Sequence, residues 1–411
     1  MTQTVMTIIA EIDSARISEL REKLSKFGSN PGGTAQAPIA KVPTLHFSSM
    51  VIFDRPERGQ MLVWENNFNG TTDAFIKDVL NAAEPDLLPI YECCGDFKTA
   101  RSLADYLKAR VVPAGLYHIG APGRTVKRIQ EESDLRDALQ ASLQRATART
   151  AVQAAKDIRD HILNSPRFAW ASKPQPRQPL GDIVRAWIGA IFAVTLIVIT
   201  SPILAMIMLT IRIQELFNYV DDHPIAHDAL RQQLAGEDWC AQNHMASLTR
   251  VKPGLFRWLF FKALLRLGNL IVRVQNRGTL GGIPGIHYAH WSLIDNGCRL
   301  LFLSNYTGSW TSYLDDFITQ ASQGLSLVWS NTGGFPRTKW LFIKCLFSGG
   351  AQQSLLFKTY ARNSQAPALV WYTAYPNLAV QTVNKNTDVR NGLCSGNIES
   401  EDQQAKWLRT L

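Results

Sequence analysis

The apolar and polar positions of the first 150 residues predict a chain of short alternating elements. Val5–Ile12 is expected as a strand and Ile17–Phe27 as a helix, with Leu45–Phe53 and Met61–Phe68 pairing as a hairpin. A helix is expected over Thr72–Ala83, starting behind Asn69-Gly70, a pair that lets the chain reverse. Leu88–Glu92 is predicted as a short strand, Ala100–Ala109 as a helix, Ala114–Ile119 as a strand and Thr125–Thr147 as a longer helix.

The same order returns in the last 170 residues, with similar residues in register. Thr44-Leu-His-Phe-Ser-Ser-Met-Val-Ile-Phe-Asp54 lies over Gly285-Ile-His-Tyr-Ala-His-Trp-Ser-Leu-Ile-Asp295, which puts His46 on His287 and Asp54 on Asp295. Leu62-Val-Trp-Glu-Asn-Asn-Phe-Asn-Gly70 lies over Leu300-Leu-Phe-Leu-Ser-Asn-Tyr-Thr-Gly308, which puts Asn67 on Asn305. Val112-Pro-Ala-Gly-Leu-Tyr-His118 lies over Ala366-Pro-Ala-Leu-Val-Trp-Tyr372, which puts His118 on Tyr372. The offset stays near 240 and steps to 254 after one insertion at about 336–350. An offset kept over several blocks is the mark of an internal repeat. It divides the chain into repeat one (1–150), a helical linker (151–241) and repeat two (242–411).

Each repeat has the β-α-β order with an antiparallel hairpin of an α+β, ferredoxin-like unit. One such sheet leaves a face uncovered, and two in one chain can cover each other as an intrachain pseudo-dimer. In element order both repeats resemble the dimeric α/β barrel superfamily, which includes the Dyp-type peroxidases, chlorite dismutases and small monooxygenases. That resemblance implies a cavity between the sheets and haem as a candidate cofactor. Gly278-Thr-Leu-Gly-Gly282 lacks the aspartate of the Gly-x-x-Asp-Gly motif of Dyp-type peroxidases.

Between the repeats, Ala186–Ile211 runs 26 residues without a charge and holds thirteen Ile, Leu, Val or Phe. At about −0.3 to −0.6 kcal/mol each, these favour bilayer insertion by roughly 4–8 kcal/mol. The expectation is therefore a membrane-inserted helical segment over 186–211, with Trp187 near its start. Pro202 falls near its middle and permits either one kinked span or a re-entrant hairpin. Two repeats packed face to face must lie on one side of a bilayer, which favours the hairpin. The first helix of repeat two, 255–274, is expected to lie at an interface, with Lys262, Arg266 and Arg273 on one face beside bulky residues such as Trp258.

Composition narrows the partners. The chain of 411 residues carries 43 Lys+Arg against 34 Asp+Glu, a formal charge of +9. The basic residues form no run of five and no nucleic-acid signature accompanies them, so anionic lipid headgroups are the expected partner and nucleic acid is not. The six cysteines contain no C-x-x-C and are expected as buried reduced thiols. Met1–Asp13 lacks the basic and apolar regions of a signal peptide, which with the basic flank before the apolar run places the protein on the cytoplasmic face of a membrane.

No nucleophile elbow, P-loop, zinc-protease or dinucleotide motif occurs. The candidate catalytic residues are His287, His46 and His290. Because 287 and 290 differ by an odd number, simple alternation puts only one of them on the inter-sheet face. His118, Tyr372, Asn67, Asn305 and Trp291 are candidate ligand contacts on strands or strand ends. His223 and His227 have a ligand-like spacing but flank Pro224, which favours a solvated loop, and no metal site is expected. Two functions follow as expectations. One is a membrane-associated, oxidoreductase-like protein acting on or binding an apolar ligand between the repeats. The other is a non-catalytic membrane-associated binding or scaffold protein.

Overall fold

The computed structural model describes residues 2–28, 38–145, 150–173, 180–215, 217, 219–275, 278–338, 349–394 and 400–411, with side chains described for part of the linker helix only. The first half carries β1 (Gln3–Glu11), α1 (Ile17–Phe27), β2 (Leu45–Arg55), β3 (Gly59–Asn69), α2 (Thr72–Tyr91), α3 (Leu103–Ala109), β4 (Val111–Val112), β5 (Leu116–Ile119) and α4 (Val126–Arg145). The linker carries α5 (Ala151–Leu163), α6 (Leu180–Glu215) and α7 (His227–Leu234). The second half carries β6 (Gln242–Arg250), α8 (Leu255–Gln275), β7 (Ile286–Ile294), β8 (Arg299–Thr307), α9 (Trp310–Gln320), α10 (Ser322–Trp329), α11 (Ser354–Ser364), β9 (Gln365–Ala366), β10 (Ala368–Thr373), α12 (Val380–Cys394) and α13 (Glu401–Leu408).

The strands form two antiparallel five-stranded sheets, in the orders β10-β2-β3-β1-β4 and β5-β7-β8-β6-β9. The orders correspond strand for strand under the repeat offset. The edge strands are exchanged: β5, from the first half, pairs with β7, and β10, from the second half, pairs with β2. Each half thus completes the other's sheet, a connection that the element order alone does not reveal.

Outer faces carry the helices. Ile8, Leu62 and Trp64 pack under Leu20, Leu24, Val79 and Leu107 on one side. On the other side Leu300, Phe302 and Trp291 pack under Phe261, Leu265, Phe317 and Trp329. Inner faces meet each other. One inner cluster joins Phe47 and Trp371 of the first sheet to Ile119 and Tyr288 of the second. Another joins Val51, Phe53, Met61 and Val63 to Ala246, Ile294, Leu301 and Leu303. Both sheets are therefore buried on two faces, which is why their strands read as apolar runs and not as strict alternations.

Two expectations about the elements are corrected. Leu88–Glu92 is not a strand. Helix α2 continues through it after a kink at Ala83, with Pro85 and Pro89 in its second segment. Pro85 falls in the first turn after the kink, where a missing N–H costs no helix bond. The re-entrant hairpin is also absent, because α6 runs as one helix from Leu180 to Glu215 through Pro202. Among the described residues no helix is long and apolar enough to cross a membrane, which overturns the membrane-inserted segment and with it the transmembrane reading. Where α6 is described, its apolar side chains face outward: Trp187, Ile191, Phe192, Val198, Ile199 and Met206 are all more than half exposed. The helix leans on α8, where a side chain at Gly189 would touch Leu270 and where Arg257 donates to Gln214 Oε1 at 3.1 Å.

Candidate functional site

The histidines His46 and His287 occupy equivalent β-bulges. The β2–β3 register skips from Leu45↔Phe68 to Phe47↔Asn67, and the β7–β8 register from Ile286↔Tyr306 to Tyr288↔Asn305. In each case the extra residue is the histidine. A bulge breaks the period of two, so the expectation that only one of His287 and His290 reaches the inter-sheet space is corrected. His287 lies against Phe47, tilted, at 5.2 Å between ring centroids, and His290 bonds Thr7 of the opposite sheet.

Both bulge histidines are buried and neutral. His46 Nδ1 lies 2.9 Å from the Tyr375 hydroxyl and its Nε2 3.0 Å from Asn69 Oδ1. His287 Nε2 lies 2.9 Å from Thr307 Oγ1. Burial pushes His46 down to about 3 against the Asn69 hydrogen bond, and it pushes His287 down to about 3 with the nearby His46 adding to the shift. These residues do not fit a haem. Both ring nitrogens of His46 and the Nε2 of His287 are engaged, and Phe47, Ile119, Tyr288, Trp371 and Tyr375 fill the space around them.

A second group lies where the sheets face each other, around Glu65. This carboxylate is fully buried and accepts from Asn67 Nδ2 at 2.8 Å, Asn305 Nδ2 at 3.1 Å and Ser49 Oγ at 3.1 Å. His244 Nε2 completes the set at 2.9 Å, and His290 Nδ1 stands 3.6 Å away while its Nε2 bonds Thr7 Oγ1 at 2.8 Å. Trp371 Nε1 donates to Asn305 Oδ1 at 3.0 Å. Burial pushes the Glu65 carboxyl up, but the His244 hydrogen bond, the electrostatic pull of His244 and His290 and the Asn67 hydrogen bond outweigh it and hold it down to about 2. Burial lowers His290, with Glu65 opposing.

The arrangement is asymmetric. Thr7, Glu65 and Ser49 form one row across the first sheet, and the equivalent row in the second is Ala246, Leu303 and His290. Only one of the two equivalent rows carries a carboxylate. Three residues singled out from the sequence, His290, Asn67 and Asn305, meet here. Glu65 and His244 escape sequence reasoning, although a Glu facing Leu303 in the repeat alignment is the signal that could have found them. An opening beside the group, lined by Gln233, Glu237, His244, Gln365 and Trp371, is a pocket of about 20 Å³, enough for about one water.

The remaining candidates lie apart. Tyr372 packs in the helix-facing core of the first sheet and burial pushes it up to about 12. Trp291 packs in the corresponding core of the second sheet. His118 on β5 is buried, has no hydrogen-bond partner on either ring nitrogen among the described residues, and is pushed down to about 4 by burial. Pro202 is exposed on α6, Arg266 is exposed on α8, and the side chain of Arg273 lies outside the described residues. His223 sits in an exposed loop beside Tyr219 and Asp221, and no group of metal-ligating side chains is found among the described residues. Cys93 and Cys94 are buried free thiols, whereas Cys240 is half-buried and Cys298 exposed, which corrects the expectation that every cysteine is buried.

A ligand-sized space opens at a seam between the halves. It measures about 470 Å³ and is lined by Ile9, Glu11, Arg55 and Val112 from the first half and by Trp258, Lys262 and Leu293–Gly297 from the second. Its floor is an ion-pair group. Arg55, 1% exposed, reaches Asp295 at 3.0 Å and also pairs with Glu11. Arg58 and Arg299 meet the same Asp295 at 3.3 and 2.8 Å. The rim is a turn of three successive left-handed residues, Asp295 (φ 52°), Asn296 (φ 58°) and Gly297 (φ 86°). A Cβ on Gly297 would lie 2.2 Å from Trp258 Nε1, so only glycine lets the indole close on this turn. Lys262 lies over the Trp258 ring at 4.3 Å.

No family model matches the chain, and no curated protein or solved structure is detectably similar to it.

Proposed function

We propose that this protein is a binding protein for a small molecule with an apolar body, held in the seam cleft between two ferredoxin-like halves arranged as in the dimeric α/β barrels. The observation that carries the reading is the cleft itself. Its volume of about 470 Å³ falls in the range of small-molecule sites, and both halves line it. Ile9, Val112, Leu293, Ile294 and the Trp258 face supply apolar wall, and a left-handed turn of the kind that recurs at ligand clamps forms its rim. The Glu65 group favours a structural role over catalysis, since its carboxylate is saturated with donors and the adjoining pocket holds about one water.

A lipid surface suits the exposed apolar side chains of α6 and of Leu255, Phe256 and Leu259 on α8 as a partner, because exposed apolar patches of this kind mark interaction sites. Trp258 and Lys262 sit on the same α8, so the cleft opens beside that surface.

The test is a thermal-shift screen of apolar and amphipathic small molecules on the intact protein and on Leu293→Trp, which fills the cleft. A true ligand at a hundred times its Kd adds about 2.7 kcal/mol of stability to the intact protein and nothing to Leu293→Trp. No shift with any compound, or equal shifts in both proteins, refutes the reading.

A further inference from the structure

We infer that the ligand of the seam cleft carries an anionic head, received by Lys262, on an apolar body that lies against Trp258, Ile9 and Leu293. This rests on the reading of the cleft as a ligand site and adds the ligand's charge. The charged groups around the cleft are Arg55, Arg58, Arg299 and Lys262 against Glu11 and Asp295, with Arg250 and Glu57 paired one layer out. The lining itself holds Arg55 and Lys262 against Glu11 and Asp295, and the ion-pair partners behind it bring the group to five cations and three carboxylates. The arginines are committed to Asp295, Glu11 and Glu57 at the floor. Among the described residues no carboxylate forms an ion pair with Lys262, whose ammonium lies over the Trp258 ring.

An ammonium over an indole is an incomplete arrangement. The ring face offers a weak electrostatic partner, whereas a carboxylate or phosphate oxygen offers a charge-assisted hydrogen bond. The surplus of positive charge disfavours a cation in the cleft and attracts an anion. The apolar wall runs from Trp258 past Leu293 and Ile294 to Ile9 and Val112. A molecule with its anionic head at Lys262 can therefore bury its body along the seam. With the floor arginines paired, Lys262 can move toward the head without breaking any ion pair among the described residues.

Isothermal titration of the full chain with decanoate, decanol and decylamine tests this, the three sharing one tail and differing in head charge. Decanoate is expected to bind at least about tenfold more tightly than decanol, and decylamine most weakly. Lys262→Met should erase the preference of decanoate over decanol, Lys262→Arg should keep it, and Leu293→Trp should abolish binding of all three. If decanol binds as well as decanoate and Leu293→Trp still blocks it, the inference falls and the cleft remains a ligand site. If decanoate keeps its advantage in Lys262→Met, the inference falls as well. If none of the three binds, or Leu293→Trp leaves binding intact, both the inference and the reading beneath it fall.

Discussion

Acid should unfold this protein well before its carboxylates titrate, because burial opposes the protonation of His46, His287, His118 and His290 in the interior. His46, His287 and His118 are 0%, 3% and 1% exposed and are pushed down to about 3, 3 and 4. In the unfolded chain each titrates near the ordinary value of about 6.5. Between that value and the folded one, the unfolded chain binds protons that the folded chain refuses, so stability falls as pH falls. At pH 5.5 each histidine contributes a loss of about 1.4 kcal/mol, and the three together about 4 kcal/mol, out of the roughly 5–15 kcal/mol of a folded domain. Urea unfolding at pH 7.5, 6.5, 5.5 and 5.0, followed by tryptophan fluorescence, reads this directly. The expected curve is flat above pH 7 and then steepens toward about 4 kcal/mol per pH unit below pH 6. The double variant His46→Gln, His287→Gln should lose about two thirds of the share that His46, His287 and His118 contribute. A stability unchanged between pH 7.5 and 5.0 would refute the neutral, buried assignment of these rings.

Other perturbations probe separate parts of the argument. Glu65→Gln removes the charge that Asn67, Asn305, Ser49 and His244 surround and leaves one amide oxygen where two carboxylate oxygens accepted, and should cost about 3–5 kcal/mol by urea unfolding at pH 7; a loss under 1 kcal/mol would deny the charge its role. Gly297→Ala forces a Cβ into Trp258, so ligand affinity at the seam should fall while the far-ultraviolet dichroism stays unchanged; unaltered affinity would separate the turn from the cleft. Residues 1–173 and 219–411 made as separate chains should each fail to give a cooperative unfolding transition alone and should associate when co-expressed. A cooperative transition from either fragment alone would argue against the exchange of edge strands.

The elements that obey local rules were legible in the sequence. Helix α1 appears at Ile17–Phe27 as the pattern predicts, and the hairpin appears at Leu45–Arg55 and Gly59–Asn69 with both repeats in register. What depended on distant partners was not legible. Leu116–Ile119 reads as a strand in either sheet, and nothing within it says that its neighbour is β7. The bulges at His46 and His287 insert one residue each and reverse the facing that alternation assigns, a change set by pairing and not by composition. The apolar stretch Leu88–Glu92 fits a strand by length and composition, but Pro85 and Pro89 belong to a restarted helix. At the site, the repeat alignment led to His290, Asn67 and Asn305 through histidine content and symmetry. Glu65 and His244 lay where the repeats differ, and a search for shared residues passes over them. The seam cleft is built from Asp295, Arg55, Trp258 and Lys262, which come from three separate stretches of chain and meet only in the fold.

The exchange of edge strands also fixes when this chain can finish folding. Trp371 of β10 pairs with Ser49 of β2, about 320 residues earlier. Compared with a loop of about 20 residues, closing that span costs roughly 2.4 kcal/mol more in chain entropy. During synthesis the outer edge of β2, from His46 to Arg55, therefore waits with open backbone donors and acceptors until nearly the whole polypeptide has left the ribosome. An open edge of that length is a template for pairing with a neighbouring nascent chain. Yield should consequently depend on whatever shields that edge during translation more than on the stability of the finished protein.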